Sequence, residues 1–396
     1  MSTKEKLQPF FDVIDDEEVV VFAKRLSAND TGASGSHQVG PYLPNSMAFT
    51  LCPRLQNYSA NPFSEFECSV LSHGVTRNTK LIWYNQKSRN ECRITKWADD
   101  RRRNSILQKD MTGGLLVMLF KMQGGDIDHA WAWFCVSPEE EDLLEERFGV
   151  VEPGRFLFDG HSADPLSGKS TNNQPCRRLL DQVQDSWLVN FPDGKEIVAL
   201  TYALLSESAD QRLLTRRSCE YEIFLSVERA HVLPRIRSGF ESVDAFIELA
   251  NSVTNRRKSR SGKSFELHLE KIFLEDGLSN THGGQTEGKK TPDFLFPSVG
   301  HYHDRSWPAD KLRMLGVKTT CKDRWRQILN EADRLSSKHL VTLQEGVSVE
   351  QFREMEQAGV TLVVPRPLHK KYPDEIRSSL MSLDQFITET KVIVGR

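Results

Sequence analysis

Hydrophobic periodicity changes once along this chain of 396 residues, and the change limits what it can fold into. Residues 17 to 135 carry short β-rich pieces, Glu18–Phe22, Leu81–Tyr84 and Ala130–Val136, separated by turn-forming residues. That spacing suggests a barrel or pseudobarrel. An acidic helix follows at about Pro138–Phe148, after which Asp159–Pro175 fills with Gly, Ser, Asn, Asp and Pro and reads as a linker. From about 180 onward, amphipathic helices alternate with a few apolar strands, an α/β signature. Helices are predicted at 209–231, 242–254, 262–275 and 323–337, and strands near 293–297, 312–319, 339–343 and 360–364. The chain is also longer than one hydrophobic core usually supports. The expected organisation is a mainly β pseudobarrel domain (1–158), a linker (159–178) and an α/β domain with a central mixed sheet flanked by helices (179–396).

Net charge is −3, so attraction to nucleic acid must come from local basic clusters. Arg101–Arg103, Arg256-Arg257-Lys258, Lys289-Lys290 and Lys322–Arg326 are such clusters. Taken alone, each is more often a solvated face than a binding site. No apolar run approaches the roughly 18 residues of a membrane helix. The N-terminus does not read as a secretory leader, and a cytoplasmic protein is expected. Seven cysteines stand singly at 52, 68, 92, 135, 176, 219 and 321. They lack the paired spacing of a zinc site and read as reduced thiols.

Metal-dependent phosphodiester hydrolysis needs carboxylates to hold a hard cation and a nearby ammonium for the developing charge. Pro292-Asp293 opens one predicted strand and Lys318 ends another, 25 positions later (318 − 293). The pair is similar to the PD…(D/E)XK nuclease signature, except that the acid two positions before the lysine is Gly316. Glu331 can replace it. The reading places Glu331 on the helix after the strand, flanking a buried stripe of Trp325, Ile328, Leu329, Ala332 and Leu335.

The segments Ala250–Ser264, Lys290–Ser298 and Gly316–Asp333 closely resemble the catalytic domain of the EcoRII family of type IIE restriction endonucleases. The resemblance spans most of the chain. It implies a magnesium-dependent nuclease with Asp293 and Glu331 as metal ligands, Lys318 as catalytic lysine, and Tyr302 and Glu266 nearby. Tyr302 is thereby implied to be catalytic and Glu266 to be a further metal or supporting carboxylate, though Glu266 reads at least as well as a solvated helix carboxylate. Lys322-Asp323-Arg324 offers donors for guanine O6 and N7 and an acceptor for the cytosine amino group, which fits adjacent C·G pairs. The alternative is a helix-start aspartate with basic neighbours on phosphates. The family implies a CCWGG-like target with its central pair extruded, 5′-phosphate ends, and cutting before the first cytosine to leave a five-base 5′ overhang.

In the N-terminal half, Lys24–Gly40 combines cations, small hydroxyls and glycines, and by composition is a surface loop. Its order, and that of Lys87–Trp97, resembles the family's effector domain, a pseudobarrel shared with plant transcription factors. The resemblance implies DNA contacts from Arg25, Asn29, Thr31, His37, Lys87, Arg89, Glu91 and Arg93, with Cys92 standing where a relative has a basic residue. A cross-strand ion-pair cluster is the alternative for Lys87–Arg93. The implied assembly is a homodimer on double-stranded DNA whose N-terminal domains restrain cleavage until they bind a second site. A cognate methyltransferase acts on the same site without needing to bind. Two competing readings are a catalytically inactive DNA-binding regulator with a nuclease fold and the methyltransferase itself. Against the latter, no glycine-rich cofactor loop follows a strand.

Overall fold

The computed structural model describes residues 2–35, 39–57, 60–99, 104–158, 161–163, 176, 179–180 and 183–395. His37, Arg101–Arg103 and most of the expected linker lie outside them.

Among the described residues the N-terminal half holds nine strands in one sheet. In chain order they are β1 (Val19–Arg25), β2 (Tyr42–Leu43), β3 (Phe63–Val70), β4 (Val75–Tyr84), β5 (Glu91–Thr95), β6 (Leu115–Gln123), β7 (Asp126–Phe134), β8 (Phe156–Phe158) and β9 (His161–Ala163). In space they run β2-β5-β4-β3-β7-β6-β1-β8-β9. The β3–β7 pair is parallel and the other pairs are antiparallel. Side-chain alternation explains why both faces are covered. On β6, Leu116, Met118 and Phe120 join an inner core with Phe22, Phe66, Leu81 and Phe134. Leu115, Val117 and Leu119 face the other way, onto Leu7 and Phe10 of α1 (Thr3–Asp16) and Leu144 of α2 (Pro138–Phe148). The sequence reading did not include α1. A capping box starts it, with Ser2 Oγ accepting from Glu5 N–H and Glu5 Oε2 accepting from Ser2 N–H.

The second half is built on five strands, β10 (Thr281–His282), β11 (Phe294–Phe296), β12 (Arg313–Lys318), β13 (Lys338–Thr342) and β14 (Val360–Val363), adjacent in that order. β10–β11 and β11–β12 are antiparallel, while β12–β13 and β13–β14 are parallel. One face packs Leu315, Val317, Val341 and Val363 against α3 (Ala209–Ser238), α4 (Val243–Glu275) and α5 (Leu383–Val394). The other packs Met314, Leu340 and Leu362 under Trp325, Ile328 and Phe352.

Three expectations are corrected. Helices predicted at 242–254 and 262–275 are one helix, α4. Its polar middle is held by ion pairs to α3, Arg257 with Glu228 and Arg260 with Glu220, so the basic stretch does not break it. The helix predicted at 323–337 is a 3₁₀ helix, Arg324–Asn330, followed by extended backbone at Glu331. Trp325 and Ile328 are buried three residues apart, the period of a 3₁₀ turn. Finally, Cys176 and Cys219, 43 residues apart in sequence, form a disulfide within a buried cluster, their Cα atoms 4.9 Å apart. The other five cysteines are free and buried.

Two helix starts meet beside the apolar face of the second sheet. Asp384 of α5 accepts from Ser208 Oγ and Ala209 N–H at the start of α3, both at 2.7 Å. Asp210 returns the contact, accepting from Leu383 N–H at 2.8 Å. The other Asp210 oxygen is buried and faces Asp384. Burial, and then the neighbouring Asp384, push the Asp210 carboxyl up to about 7. A carboxyl raised in the folded state stabilises the fold below its unfolded pKa of about 4 and loses that contribution as pH rises towards 7. Asp210→Asn keeps an acceptor for Leu383 and supplies a permanent donor to Asp384. The urea midpoint of the parent chain should therefore fall relative to this variant between pH 5 and pH 8. Parallel profiles would show that the carboxyl pair does not share a proton.

Candidate active site and the cleft beside it

Asp293 immediately precedes β11, and the pairing of Phe294 with Leu315 carries it alongside the end of β12. Its Oδ2 accepts from Val317 N–H at 2.6 Å and lies 3.4 Å from Lys318 Nζ. The aspartate and the lysine are thus neighbours at one end of the sheet.

Gly316 explains how the second acid joins them. A Cβ built on Gly316 would lie 2.6 Å from Ile328 Cγ2, so no side chain fits there while the 3₁₀ helix packs on the strand. That packing brings the next residue after the helix, Glu331, to the pair: Asp293 and Lys318 both act on its charge. Burial pushes Glu331 up to about 7; Lys318 and Lys338 oppose the shift and Asp293 adds to it. Glu331 Oε2 is buried with no hydrogen-bond partner among the described residues. An unpartnered carboxylate oxygen beside a second carboxylate suits a hard divalent cation, for which oxygen is the preferred donor. Among the described residues no group of three or more His, Cys, Asp or Glu gathers as a metal cage. Two carboxylates leave room for phosphate and water oxygens, the usual arrangement for magnesium.

Tyr302 is buried, and its phenol donates to Glu287 at 2.5 Å while accepting from Arg334 N–H at 3.2 Å. Burial, then the Glu287 hydrogen bond, push its pKa up to about 12, so it is a neutral donor at ordinary pH. Glu266 lies on α4, where it accepts from His282 Nε2 at 2.9 Å. His282 in turn stacks on Phe294, next to Asp293.

Beside these residues runs a cleft of about 630 Å³. One wall carries Lys258, Glu266, Lys318 and Arg324; the other carries Glu139, Asp142 and Glu145 of α2. Lys322 and Arg324 reach across to the first domain, Lys322 Nζ to Cys135 O at 3.4 Å and Arg324 to Asp142 at 3.3 Å. Asp323 pairs with Arg326 at 3.3 Å. Deeper in the same interface, Glu152 sits between Arg217 of α3, at 3.0 Å, and Arg260 of α4. Burial pushes Glu152 up, but Arg260 and Arg217 more than reverse this and hold it at about 2.

Family models match both halves: "EcoRII C terminal" over 224–387 and "Restriction endonuclease EcoRII, N-terminal" over 15–161. The type II restriction enzyme EcoRII of Escherichia coli is 49% identical over 385 residues, covering 94% of each chain. The chain belongs to the EcoRII family of type II restriction endonucleases. The type II restriction enzyme SsoII of Shigella sonnei is 28% identical over 126 residues, 29% of this chain and 40% of SsoII. A solved complex of metal-depleted Ecl18kI with uncleaved, modified DNA has a TM-score of 0.45 at 18% identity, covering 56% of this chain and 85% of that one.

In this EcoRII-family chain the residues expected to read effector DNA separate into two groups. Lys87 and Arg89 are exposed at the β4–β5 turn, where Lys87 adopts φ 59°. Arg25, Thr31 and Arg93 are buried. Arg25 binds Glu141 and Glu145 of α2, each at 2.7 Å. Thr31 bonds Thr112 at 2.7 Å, and Arg93 donates to Gly40 O at 2.9 Å and pairs with Glu91 at 3.1 Å. Asn29 is half-buried and accepts from Ser34 Oγ, while His37 lies outside the described residues. The Lys24–Gly40 segment is therefore not simply a surface loop. It begins inside β1 and contains a helical turn, Ala28–Thr31, capped by Ser27 and Asp30. Cys92 packs in the inner core, on the opposite face of β5 from Glu91 and Arg93. Glu152, Glu287 and Asp142 were not singled out from the sequence. The acidic run 139–146 was the only signal for any of them.

Gly316→Ala tests the packing that delivers Glu331. Overpacking against Ile328 should cost about 1–3 kcal/mol in urea denaturation and reduce DNA cleavage. Adding Ile328→Ala should recover part of the stability without restoring cleavage. Wild-type stability in Gly316→Ala would show that Ile328 is free to move aside.

Proposed function

We propose that this chain is a Mg²⁺-dependent endonuclease that hydrolyses both strands of double-stranded DNA at a short CC/GG palindrome, CCWGG by resemblance, leaving 5′-phosphate ends. The observation that carries the reading is the grouping of Asp293, Lys318 and Glu331 beside a cleft lined by Lys318 and Arg324. Asp293 and Glu331 would hold the ion, which when bound polarises the scissile phosphate and lowers the pKa of attacking water. Asp293 also keeps the Lys318 ammonium at the end of β12, placed to offset charge developing on the phosphate. Lys322 and Arg324 can donate to guanine edges and Asp323 can accept from cytosine. The chain acts as a homodimer, because a palindrome presents two symmetry-related scissile bonds.

Before DNA enters, α2 must move. Its carboxylates face the cleft that would take phosphates, and Asp142 and Cys135 O occupy the side chains assigned to base reading. The N-terminal domain thus acts as a brake that a second DNA copy releases, through Lys87, Arg89 and the Arg25–Arg93 region. Effector binding and cleavage are then two sites biasing one closed–open equilibrium.

The first test incubates the chain and Lys318→Ala with Mg²⁺ and plasmids carrying zero, one or several CCWGG sites. Cleavage that maps to those sites, rises with site number, stops with EDTA and is lost in Lys318→Ala is the expected result. Binding without cleavage would sink the nuclease reading, and cutting elsewhere would sink only the target. For the brake, Glu152→Gln weakens a buried countercharge between the domains and should raise one-site plasmid cleavage by roughly tenfold or more. Equal one-site rates would show that Glu152 does not hold the closed state.

A further inference from the structure

The residues after Glu331 belong to no strand or helix, yet their backbone is held from three directions. Ala332 has φ 49°, in the left-handed region that disfavours a residue with a β-carbon. Its carbonyl accepts from Lys338 Nζ at 3.3 Å. The next amide, Asp333 N–H, donates to Glu287 Oε2 at 3.1 Å. The one after it, Arg334 N–H, donates to the Tyr302 phenol at 3.2 Å, and that phenol donates to Glu287 Oε1 at 2.5 Å. The Arg334 guanidinium binds the carbonyls of His301, Tyr302, Asp304 and Trp307.

One side chain joins these contacts. Both oxygens of Glu287 are used, one directly on the turn and one through Tyr302, across 46 and 15 residues of sequence. A left-handed alanine persists only where its surroundings over-determine it, at a cost on the order of 1–3 kcal/mol. Here the surroundings are the carboxylate–phenol pair, which receives two successive amides, and Lys338. The turn they fix directly follows Glu331, whose backbone is extended (φ −93°, ψ 147°) and whose carboxyl lies within the influence of the Asp293 and Lys318 charges.

We infer that Glu287 is a positioning residue of the nuclease centre: with Tyr302 it clamps the Ala332–Arg334 turn so that Glu331 presents its carboxylate to the metal. The inference rests on the metal-nuclease reading above. Glu287 touches no reacting group; it acts through the backbone, as a carboxylate that orients a ligand does in other metal sites. Tyr302 acquires the same role, as a neutral donor between Glu287 and the turn. Loss of the clamp leaves Asp293 and Lys318 in place and affects the step that needs both carboxylates. Metal affinity should therefore fall while DNA binding does not.

The test compares the parent chain, Glu331→Ala, Glu287→Gln, Glu287→Ala, Tyr302→Phe and the Glu287→Ala/Tyr302→Phe double variant. Ca²⁺ binding to each protein–DNA complex is measured by calorimetry, and the Mg²⁺ dependence of cleavage and the KM for DNA are measured alongside. Glu287→Gln can still accept from Tyr302, but its amide NH₂ opposes Asp333 N–H, so it breaks half of the clamp and serves if Glu287→Ala does not fold. The expected result is a roughly tenfold to hundredfold loss of Ca²⁺ affinity and a matching rise in the Mg²⁺ requirement, with KM unchanged. The double variant should be no worse than the more affected single variant, because both remove one device. If Glu287 variants keep parental Ca²⁺ affinity while Glu331→Ala loses it, the clamp is overturned and the nuclease centre stands. If the parent chain binds no Ca²⁺ and cuts no DNA, the nuclease reading and the clamp fall together.

Discussion

Glu152, a carboxylate of the first domain, is buried between Arg217 and Arg260 of the second, and Arg260 is shared with Glu220, so one buried charge cluster joins the two domains. Such a contact is unusual in its energetics. Desolvating these charges costs nearly as much as their attraction returns, so the intact cluster adds little net stability. Removing one member is expensive, because an uncompensated charge stays behind. Separating the domains instead lets water rehydrate Glu152 and both arginines together, so opening leaves no charge buried alone. The interface therefore resists the loss of one member more than it resists opening. The shallower contacts yield too. Arg324–Asp142 is solvent-exposed and Lys322 rests on a single carbonyl, so anions entering the cleft can displace both.

The candidate centre is specified by a compensation between two positions. A missing side chain at Gly316 admits Ile328, and Ile328 seats the 3₁₀ helix that ends at Glu331. An acid at 316 and an acid at 331 are in this sense alternatives: the first excludes the packing that the second requires. The carboxylate arrives from a segment without secondary structure, which is why its surroundings are so heavily hydrogen-bonded. A strand would have supplied that rigidity through its ladder.

Much of this was legible in the residue order, for local reasons. The bounds of α2 follow from Ser137 and Pro138 at its start and Gly149 at its end, each acting on the nearest turn. Asp293 and Lys318 were recognisable because each sits at the end of a short apolar strand. Glu331 was found as a residue but placed on an α-helix. The stripe from Trp325 to Leu335 satisfies a period of 3.6 nearly as well as 3.0, and only the contact with Gly316 decides between them. Glu152 and Glu287 left no local trace, since each acts on partners 65 or 46 residues away. The burial of Arg25 was equally hidden: a basic residue at a strand end looks the same whether it meets phosphate or the glutamates of a helix more than a hundred positions downstream.

The place of β1 in the first sheet has a consequence for how the protein is made. This strand is translated first, but its neighbours β6 and β8 lie at residues 115–123 and 156–158. A nascent chain therefore leaves the ribosome with Val19–Phe22 unpaired, an apolar ribbon with both edges open, and keeps it so through most of the first domain's synthesis. The strand that carries Lys24 to Asp30 and Arg25 to Glu141 and Glu145 is thus the one most in need of shelter while the rest is built. The sheet cannot close around β1 until β6 and β8 have both been made.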